Sequence, residues 1–199
     1  MSGTGSRRGK LRQVRIIGGR WRGRKLSFTP AEGLRPTGDR IRETLFNWLA
    51  PEIQGARCAD LFAGSGALGL EALSRGAAHC DFVDSAPTTL SAINQHLRTL
   101  DAQDTGRCHA LTAQKFLQQA KTPYDIVFID PPFNQALVEP VCASLSLTRL
   151  LTDTALIYVE TAATEPSPEV PPQWTLHREK FSSGVAYRLF SNTNNGASD

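Results

Sequence analysis

The sequence predicts one α/β domain built around a mostly parallel sheet, with a short basic extension before it. Three features predict this fold. Strand and helix patterns alternate from residue 56 onward, which is typical of parallel strands joined by right-handed crossovers. A glycine-rich loop follows the first of these strands and opens a helix. Two strand patterns near the C-terminus flank a Ser-Ser-Gly turn, so the sheet is expected to end in an antiparallel pair.

The individual elements follow from hydrophobic periodicity and turn residues. Residues 13–18 and 24–28 form two predicted strands around the turn GGRWRG. A helix capped by Thr37 or Asp39 extends to about Leu49, and Arg40 and Arg42 are expected to point away from its apolar stripe. The later strands are predicted at 57–62, 79–84, 108–111, 124–129, 155–160, 174–180 and 185–190, and the helices between them at 66–75, 87–100, 113–120 and 136–150.

Length and composition fit this organisation. The 199 residues are 40% hydrophobic and 21% charged, as in ordinary globular proteins. Residues 1–12 and 192–199 are predicted to be disordered tails, 13–55 a hairpin and helix extension, and 56–191 the main domain. The chain has no apolar run near the ~20 residues of a membrane span, and its N-terminus lacks the apolar region of a secretory signal. We therefore expect a cytoplasmic protein, by default a monomer.

Positive charge is concentrated at the N-terminal end. Residues 1–45 contain twelve Lys and Arg against three Asp and Glu, whereas the other 154 residues contain ten against sixteen. A basic arm on an acidic body predicts a polyanionic partner, although a solvated tail would equally explain residues 1–12. The four cysteines, Cys58, Cys80, Cys108 and Cys142, form no CxxC pair and no zinc spacing. We expect reduced thiols and no metal site.

The glycine-rich loop lies in the segment DLFAGSGALGLEAL, residues 60–73. Gly64, Gly66 and Gly69 match GxGxxG, which by itself would suggest a dinucleotide site. Asp60, however, ends the preceding strand, where its charge would repel a pyrophosphate and accommodate a cationic sulfonium ligand. The chain also contains no pattern typical of a hydride-transfer site. The pattern D-x-F-x-G-S-G resembles the first motif of class I methyltransferases, which implies S-adenosylmethionine as the cofactor.

Two further positions complete the predicted cofactor site. Asp84 ends the next strand, where a carboxylate accepts hydrogen bonds from ribose hydroxyls; a surface strand-end carboxylate is the alternative. Thr112 and Ala113 follow the third strand, where the adenine is expected from position alone. The predicted cofactor-binding residues are Asp60, Phe62, Ala63, Gly64, Ser65, Gly66, Asp84, Ser85, Thr112 and Ala113.

The tetrapeptide Asp130-Pro131-Pro132-Phe133 follows a continuous apolar run, YDIVFI, which predicts a strand buried on both faces. The prolines fix φ and remove two backbone donors, which leaves the Asp130 carboxylate and the Pro131 carbonyl as rigid acceptors beside an aromatic ring. Such acceptors suit an exocyclic aryl amine, and Phe133 can stack on the base that carries it. D/N-P-P-Y/F is typical of amino-group methyltransferases that act on bases or glutamine. All four residues are predicted to be catalytic.

Four segments together resemble the bacterial family that methylates guanine N2 in small-subunit ribosomal RNA (the RsmD type). They are RIIGGRWRGRKL, LRPTGDRIRETLFNWL, DLFAGSGALGLEALSRGA and DPPF, and LHREKFSSGVAYRLF is also similar. The resemblance covers residues 13–190. It implies a class I, Rossmann-like methyltransferase fold, with a seven-stranded sheet whose last strand is antiparallel. It also places Asp130 and Phe133 at the guanine. Relatives often carry Glu where this chain has Asp84.

The resemblance gives the basic arm a role in binding RNA. The predicted RNA-binding residues are Arg15, Arg20, Trp21, Arg22, Arg24, Lys25, Arg35 and Arg40. The cations would contact phosphates and Trp21 would stack on a base. We further expect an assembled subunit as substrate. The alternatives are an amino-methyltransferase acting on DNA adenine or cytosine, one acting on a protein glutamine, and a non-enzymatic RNA-binding protein.

Overall fold

The computed structural model describes residues 12–28 and 38–193. Arg35, Thr37 and nearly all of the predicted N-terminal tail lie outside these ranges. The strands are β1 (Arg12–Arg15), β2 (Lys25–Phe28), β3 (Arg57–Asp60), β4 (His79–Asp84), β5 (Gly106–Ala110), β6 (Tyr124–Ile129), β7 (Leu151–Ala162), β8 (Trp174–Ser182) and β9 (Val185–Asn192). The α-helices are α1 (Asp39–Trp48), α2 (Ala67–Ser74), α3 (Pro87–Thr99), α4 (Ala113–Gln119) and α5 (Val138–Thr148), and a 3₁₀ turn spans Gly19–Trp21.

Seven strands form one sheet in the order β5-β4-β3-β6-β7-β9-β8. Neighbours from β5 to β7 are parallel, and β9 pairs antiparallel with both β7 and β8. This confirms the predicted seven-stranded sheet with an antiparallel last strand. The strand order reverses between β3 and β6, and ligands of open α/β sheets bind beyond the carboxyl ends of the strands at such a point. Strands β3, β4, β6 and β7 all end on one side of the sheet, which we call the carboxyl edge.

Strand β6 is buried on both faces, as its unbroken apolar run predicted. Ile126 and Phe128 face the cluster that includes α1 and α2, and the Phe128 ring lies 6.0 Å from that of Phe46. Val127 and Ile129 face the second cluster, built with α4 and α5. Burial on both faces holds the end of β6 in place, and the tetrapeptide starts there.

The N-terminal hairpin, strands β1 and β2, packs on α2 through polar contacts. The buried carboxylate of Glu71 accepts hydrogen bonds from the backbone nitrogens of Ile17 and Gly18, both at 2.8 Å. The Ser74 hydroxyl accepts one from the Trp21 nitrogen at 3.0 Å and donates one to the Gly18 carbonyl at 2.6 Å. The hairpin turn therefore lies at the C-terminal end of α2, roughly 10 Å along the helix from the glycine loop at 1.5 Å per residue.

Helix α1 departs from the prediction at two positions. Gly38 occupies the N-cap and Asp39 is the first helical residue, with no side-chain cap, so the assignment of Asp39 as the cap is wrong. Arg42 does not point away from the apolar stripe with the exposed Arg40; it is 1% exposed. Its guanidinium lies 2.6 Å from Asp39 and 3.4 Å from Glu71. Apolar periodicity identifies a buried face, but it carries no sign of a buried cation whose partner lies on another helix.

Other differences concern the ends of elements. Strand β7 runs from Leu151 to Ala162, longer than the predicted 155–160, because pairing with β9 continues to Ala162. Strand β1 ends at Arg15 because the chain then turns to dock on α2. Strand β9 continues to Asn192, one residue into the predicted C-terminal tail. Among the helices that the structure describes, none combines the length and apolarity of a membrane span.

Candidate active site

A cavity of about 510 Å³ opens at the carboxyl edge. This volume lies within the ~300–1,000 Å³ of small-molecule sites. The four residues of the tetrapeptide line it, as do all the predicted cofactor residues except Gly66. The structure thus places the glycine loop and Asp130-Pro131-Pro132-Phe133 around one space. The lining also includes residues that the sequence did not single out, namely Leu61, Ala67, Leu68, Ala86, Thr89, Leu111, Gln114, Gln135, Leu137 and Val141.

The glycine loop adopts a conformation that favours glycine. Gly64 and Gly66 have φ of 48° and 76°, in the left-handed region. Gly66 forms the N-cap of α2, and a Cβ added there would lie 3.0 Å from the Ile93 side chain and 3.1 Å from that of Leu70. A side chain at Gly66 would therefore strain the backbone and require Ile93 or Leu70 to shift. The backbone can approach a ligand closely on the cavity side, where Ala63, Gly64 and Ser65 lie.

Asp60 lies at the bottom of the cavity and is 1% exposed. Its Oδ2 accepts a hydrogen bond from the Gly69 nitrogen at 3.1 Å. Burial raises the pKa of this carboxyl to about 7, and the nearby Asp130 and Asp84 add to the increase, while the backbone N–H groups of Gly69 and Phe62 oppose it. A buried carboxylate with this pKa is stabilised by any cation that enters the cavity. Asp60 therefore fits a positively charged ligand.

Asp84 fastens the glycine loop to the end of β4. One carboxylate oxygen accepts a hydrogen bond from the Gly64 nitrogen at 3.0 Å, and the other accepts one from the Ala86 nitrogen at 2.8 Å. Each oxygen has a second lone pair, so the carboxylate has capacity for ligand hydroxyls. Thr112 lines the cavity but also caps α4, because its hydroxyl accepts a hydrogen bond from the Lys115 nitrogen at 3.3 Å. These residues fit an adenosine-bearing cofactor.

A carboxylate from the following loop holds the segment after the tetrapeptide. Glu165 Oε1 accepts a hydrogen bond from the Asn134 nitrogen at 3.0 Å, and Oε2 accepts one from the Ala162 nitrogen at 2.7 Å. Asn134 and Ala136 both have positive φ, at 59° and 50°, a conformation unfavourable for residues with a side chain. Glu165 thus ties a strained turn next to Phe133 to the end of β7. Sequence patterns do not reveal this contact, because Glu165 stands in a Pro-rich loop.

The basic residues of the predicted RNA-binding set that the structure describes lie at the surface, whereas Trp21 does not. Arg15, Arg22, Arg24, Lys25 and Arg40 are exposed, as is Arg20. The Trp21 ring is only 8% exposed and packs in the core, with the Arg20 guanidinium 4.2 Å from its centre. The prediction that Trp21 stacks on RNA is therefore wrong in this structure, because the ring is already packed in the core. Arg35 lies outside the described residues.

None of the four cysteines, all of which the structure describes, lines this cavity. Cys58, Cys80 and Cys142 are buried, and burial raises the pKa of the partly buried Cys108 to about 11. A thiol with such a pKa is a poor nucleophile at neutral pH. In residues 12–28 and 38–193, His, Cys, Asp and Glu form no group of three or more arranged to hold a metal ion.

Known proteins similar to this chain match it over most of its length. A family model described as Conserved hypothetical protein 95 matches residues 14–191. Ribosomal RNA small subunit methyltransferase D from Escherichia coli (strain K12) is 51% identical over 187 residues, or 94% of each chain. The protein of the same name from Haemophilus influenzae is 45% identical, covering 90% of this chain and 94% of its own. The solved structure of yhhF from Escherichia coli is 49% identical with a TM-score of 0.85, covering 91% of this chain and 98% of that one.

Proposed function

Because the chain belongs to the ribosomal RNA small subunit methyltransferase D family, we propose that it methylates the exocyclic N2 amine of a guanine in small-subunit ribosomal RNA, within an assembled particle. It is a methyltransferase of ribosomal RNA, and S-adenosylmethionine is the methyl donor. The proposal concerns three points: which atom is methylated, whether the RNA is free or part of an assembled particle, and which residues act.

The observation that carries the proposal is the shared cavity of the glycine loop and the tetrapeptide. Asp60, at the end of β3, and Asp130, just after β6, lie on neighbouring strands of the sheet. Their carboxylates are close enough for Asp130 to raise the pKa of Asp60. A cofactor held by the glycine loop and an amine held by the tetrapeptide would therefore meet in this cavity.

S-adenosylmethionine supplies an electrophilic methyl group on a positively charged sulfur. In our proposal the Asp130 carboxylate and the Pro131 carbonyl each accept one N–H bond of the amine, which aims its lone pair at that methyl group. Phe133 packs against the core on one side and stacks on the guanine on the other, worth roughly 1–3 kcal/mol. Positioning supplies most of the rate. The amine becomes acidic as the N–C bond forms, and Asp130 takes the proton directly or through water.

The cofactor contacts follow from the cavity lining. We assign the cationic end of the cofactor to Asp60, the ribose hydroxyls to Asp84 with Ser85 beside it, and the adenine to Thr112 and Ala113. The backbone of residues 63–66 would lie against the rest of the cofactor, and Phe62 would complete this side of the binding site. These assignments keep the cofactor between the glycine loop and the tetrapeptide.

The basic arm would contact RNA over an extended area. Arg15 lies 3.3 Å from Asp39 at the start of α1, and Arg40 follows on the same helix. Arg20 and Arg22 lie at the hairpin turn, at the C-terminal end of α2. Phosphate contacts of this kind fix affinity and register, whereas an unpaired guanine that is splayed out is read in the cavity. An enzyme with a short basic arm would gain affinity and discrimination from ribosomal proteins near the target, which favours an assembled particle as the substrate.

Substrate class and particle state are tested by one set of transfer reactions. The purified protein and tritium-labelled S-adenosylmethionine are mixed with small subunits from cells that lack the corresponding enzyme, with protein-free RNA from the same subunits, with DNA, or with a protein extract. We expect label in ribosomal RNA, with a higher rate on the subunit than on free RNA. Equal rates on both would contradict the preference for a particle. Label only in DNA or protein would contradict the proposal as a whole.

Cofactor affinity is expected to depend on Asp60 and on pH. The carboxyl, with its pKa near 7, is largely protonated at pH 6 and ionised at pH 8, and only the ionised form attracts a cation. We expect affinity measured by calorimetry to rise between pH 6 and pH 8, with a proton released on binding near pH 6. Asp60→Asn should weaken binding about 10- to 100-fold and remove this pH dependence. A wild-type affinity that is flat across this range would contradict the assignment.

Asp60→Asn is also expected to stabilise the cofactor-free protein. The folded-state pKa of Asp60 lies above the unfolded value of 3.8, so this group makes folding less favourable as pH rises from about 4 to 7. The asparagine side chain keeps an oxygen that accepts the hydrogen bond from the Gly69 nitrogen, and it carries no charge that folding would bury. The gain at pH 8 is on the order of 4 kcal/mol, measured by urea unfolding. A gain that is the same at pH 4 and pH 8 would argue against this cause.

Glu165→Gln should loosen the turn that follows Phe133. Glutamine has one acceptor oxygen, so the Asn134 and Ala162 nitrogens cannot both keep their partners. We expect kcat on subunits to fall about tenfold with cofactor affinity unchanged, since misplacing an aligned group by about 1 Å has effects of this size or larger. Amide exchange at Asn134 should increase as well. Glu169→Gln, in the same loop, serves as the control, and equal kcat values for the two variants would count against this role.

A further inference from the structure

Strand β8 is one of the two outer strands of the sheet. Its residues from Thr175 to Phe181 are exposed, whereas β9 beside it is buried along nearly all of its length. The geometry points to a second RNA-binding surface on this strand, in which Arg178 and Lys180 contact phosphates of the ribosomal RNA strand that carries the target guanine. This inference rests on the proposed function and extends its RNA-binding site to the opposite end of the sheet.

The register of the sheet places Lys180 in line with the tetrapeptide. Lys180 pairs with Tyr187, and Tyr187 pairs with Glu160. Glu160 follows Val159, the partner of Ile129, so it lies beside Asp130. Directly paired residues point to the same face of a sheet, and three strand spacings of ~4.8 Å put Lys180 about 14 Å from Asp130. A few nucleotides of an extended strand span this distance.

Arg178 lies on the same face as Lys180. It pairs with Leu189, which belongs to the core cluster on the face that α1 covers, as does Tyr187. The Tyr187 ring stacks on Trp48 of α1 at 5.5 Å, so α1 covers the sheet up to β9. The two cations therefore line the outer strand just beyond the covered part of this face.

The acidic residue between these cations does not neutralise them. Glu179 pairs with Arg188 and so points to the opposite face, where its carboxylate accepts a hydrogen bond from Arg188 Nε at 2.7 Å. Among the described residues, Arg178 and Lys180 take part in no ion pair. The surface thus presents two positive charges on one face, and a phosphate backbone complements them.

The two basic surfaces lie on opposite sides of the cavity. The hairpin packs on α2 and α3, over the half of the sheet that contains β3 and β4. Strand β8 lies at the far end of the other half. An RNA strand that delivers a guanine to Asp130, between these halves, can therefore be held on both sides of the target. Such contacts set the register of the strand in the site.

Charges on an edge strand also prevent edge-to-edge pairing of sheets. This role alone predicts aggregation when the charges are removed, but no change in the affinity for RNA. A binding experiment with soluble protein therefore distinguishes RNA binding from protection of the sheet edge.

The test compares Arg178→Ala/Lys180→Ala with Arg107→Ala/Lys121→Ala, which removes two exposed positive charges away from the carboxyl edge. For the β8 variant we expect KM for small subunits to rise about tenfold and kcat, cofactor affinity and Tm to stay unchanged. The salt dependence of subunit binding, log Kd against log salt, should lose roughly 1.5 to 2 units of slope. The control variant should resemble the wild type.

A photoreactive residue identifies what touches β8. Ser182→p-benzoylphenylalanine replaces a partly exposed side chain two residues after Lys180. Ser182 pairs with Val185, which belongs to the core cluster on the face that α1 covers, so the probe lies on the same face as Arg178 and Lys180. Irradiation with subunits should produce a cross-link to ribosomal RNA. The inference is overturned if KM and salt slope match the control variant, or if the only cross-link is to a ribosomal protein. Failure of the wild type to methylate ribosomal RNA would instead overturn the proposed function.

Discussion

Replacing Asp130 with alanine is expected to lower kcat for methyl transfer to small subunits on the order of 10³-fold, within the range for a positioned group that handles a proton. The variant loses the acceptor that grips one N–H bond of the amine, while the Pro131 carbonyl and Phe133 stay in place. Because Asp130 helps to raise the pKa of Asp60, its removal should also shift the pH dependence of cofactor binding to lower pH. Single-turnover rates and calorimetry measure the two effects separately.

Asp130→Asn is the matched control. Asparagine keeps one acceptor oxygen and loses the charge, so kcat should fall about tenfold if hydrogen bonding to the amine is the main role. A loss as large as that of Asp130→Ala would indicate that proton acceptance dominates. An alanine variant with wild-type kcat would contradict the placement of the amine at Asp130.

Replacing Glu71 with alanine is expected to destabilise the protein by about 3–5 kcal/mol, the usual cost of breaking a buried ion pair. Its carboxylate accepts hydrogen bonds from the hairpin backbone at Ile17 and Gly18, from buried Arg42, and from Arg75 Nε at 2.7 Å. For a chain of this size, Tm should fall by roughly 10 °C. Activity on subunits should decline together with the docking of the hairpin.

The exposed Glu52 provides a control for Glu71. Glu52→Ala should change stability by less than about 0.5 kcal/mol, as surface substitutions usually do. Urea unfolding gives the stabilities, and proteolysis of the hairpin at low protease concentration reports its docking. The account of the hairpin is contradicted if Glu71→Ala and Glu52→Ala unfold at the same urea concentration.

Much of the fold was predictable because its signals are local. The apolar run of β6 and the residues Asp130-Pro131-Pro132-Phe133 after it identify a strand end and a rigid turn without reference to any other segment. The glycine loop likewise combines a strand end, a left-handed turn and a helix start. Since parallel strands end at one edge of the sheet, these two segments were expected to meet, and they line one cavity.

Contacts between distant segments were not predictable in this way. Arg42 appeared to be a surface cation, but it is buried because Glu71, on another helix, offers a carboxylate. Trp21 was predicted to stack on RNA, but its side chain is buried and its backbone nitrogen is hydrogen-bonded to Ser74 of α2. In the sequence Glu165 is an ordinary loop residue, whereas in the structure its carboxylate accepts hydrogen bonds from the Asn134 and Ala162 nitrogens. Each case depends on a partner 29 or more residues away, which periodicity and turn preferences do not encode.

The central claim is that the methyl group is transferred to N2 of guanine. The most direct test digests ribosomal RNA from subunits methylated with labelled S-adenosylmethionine to nucleosides and identifies the labelled one by chromatography and mass spectrometry. We predict label in N2-methylguanosine, and none when the Asp130→Ala variant replaces the wild type. Label in another methylated nucleoside, or equal label with the variant, would contradict the account.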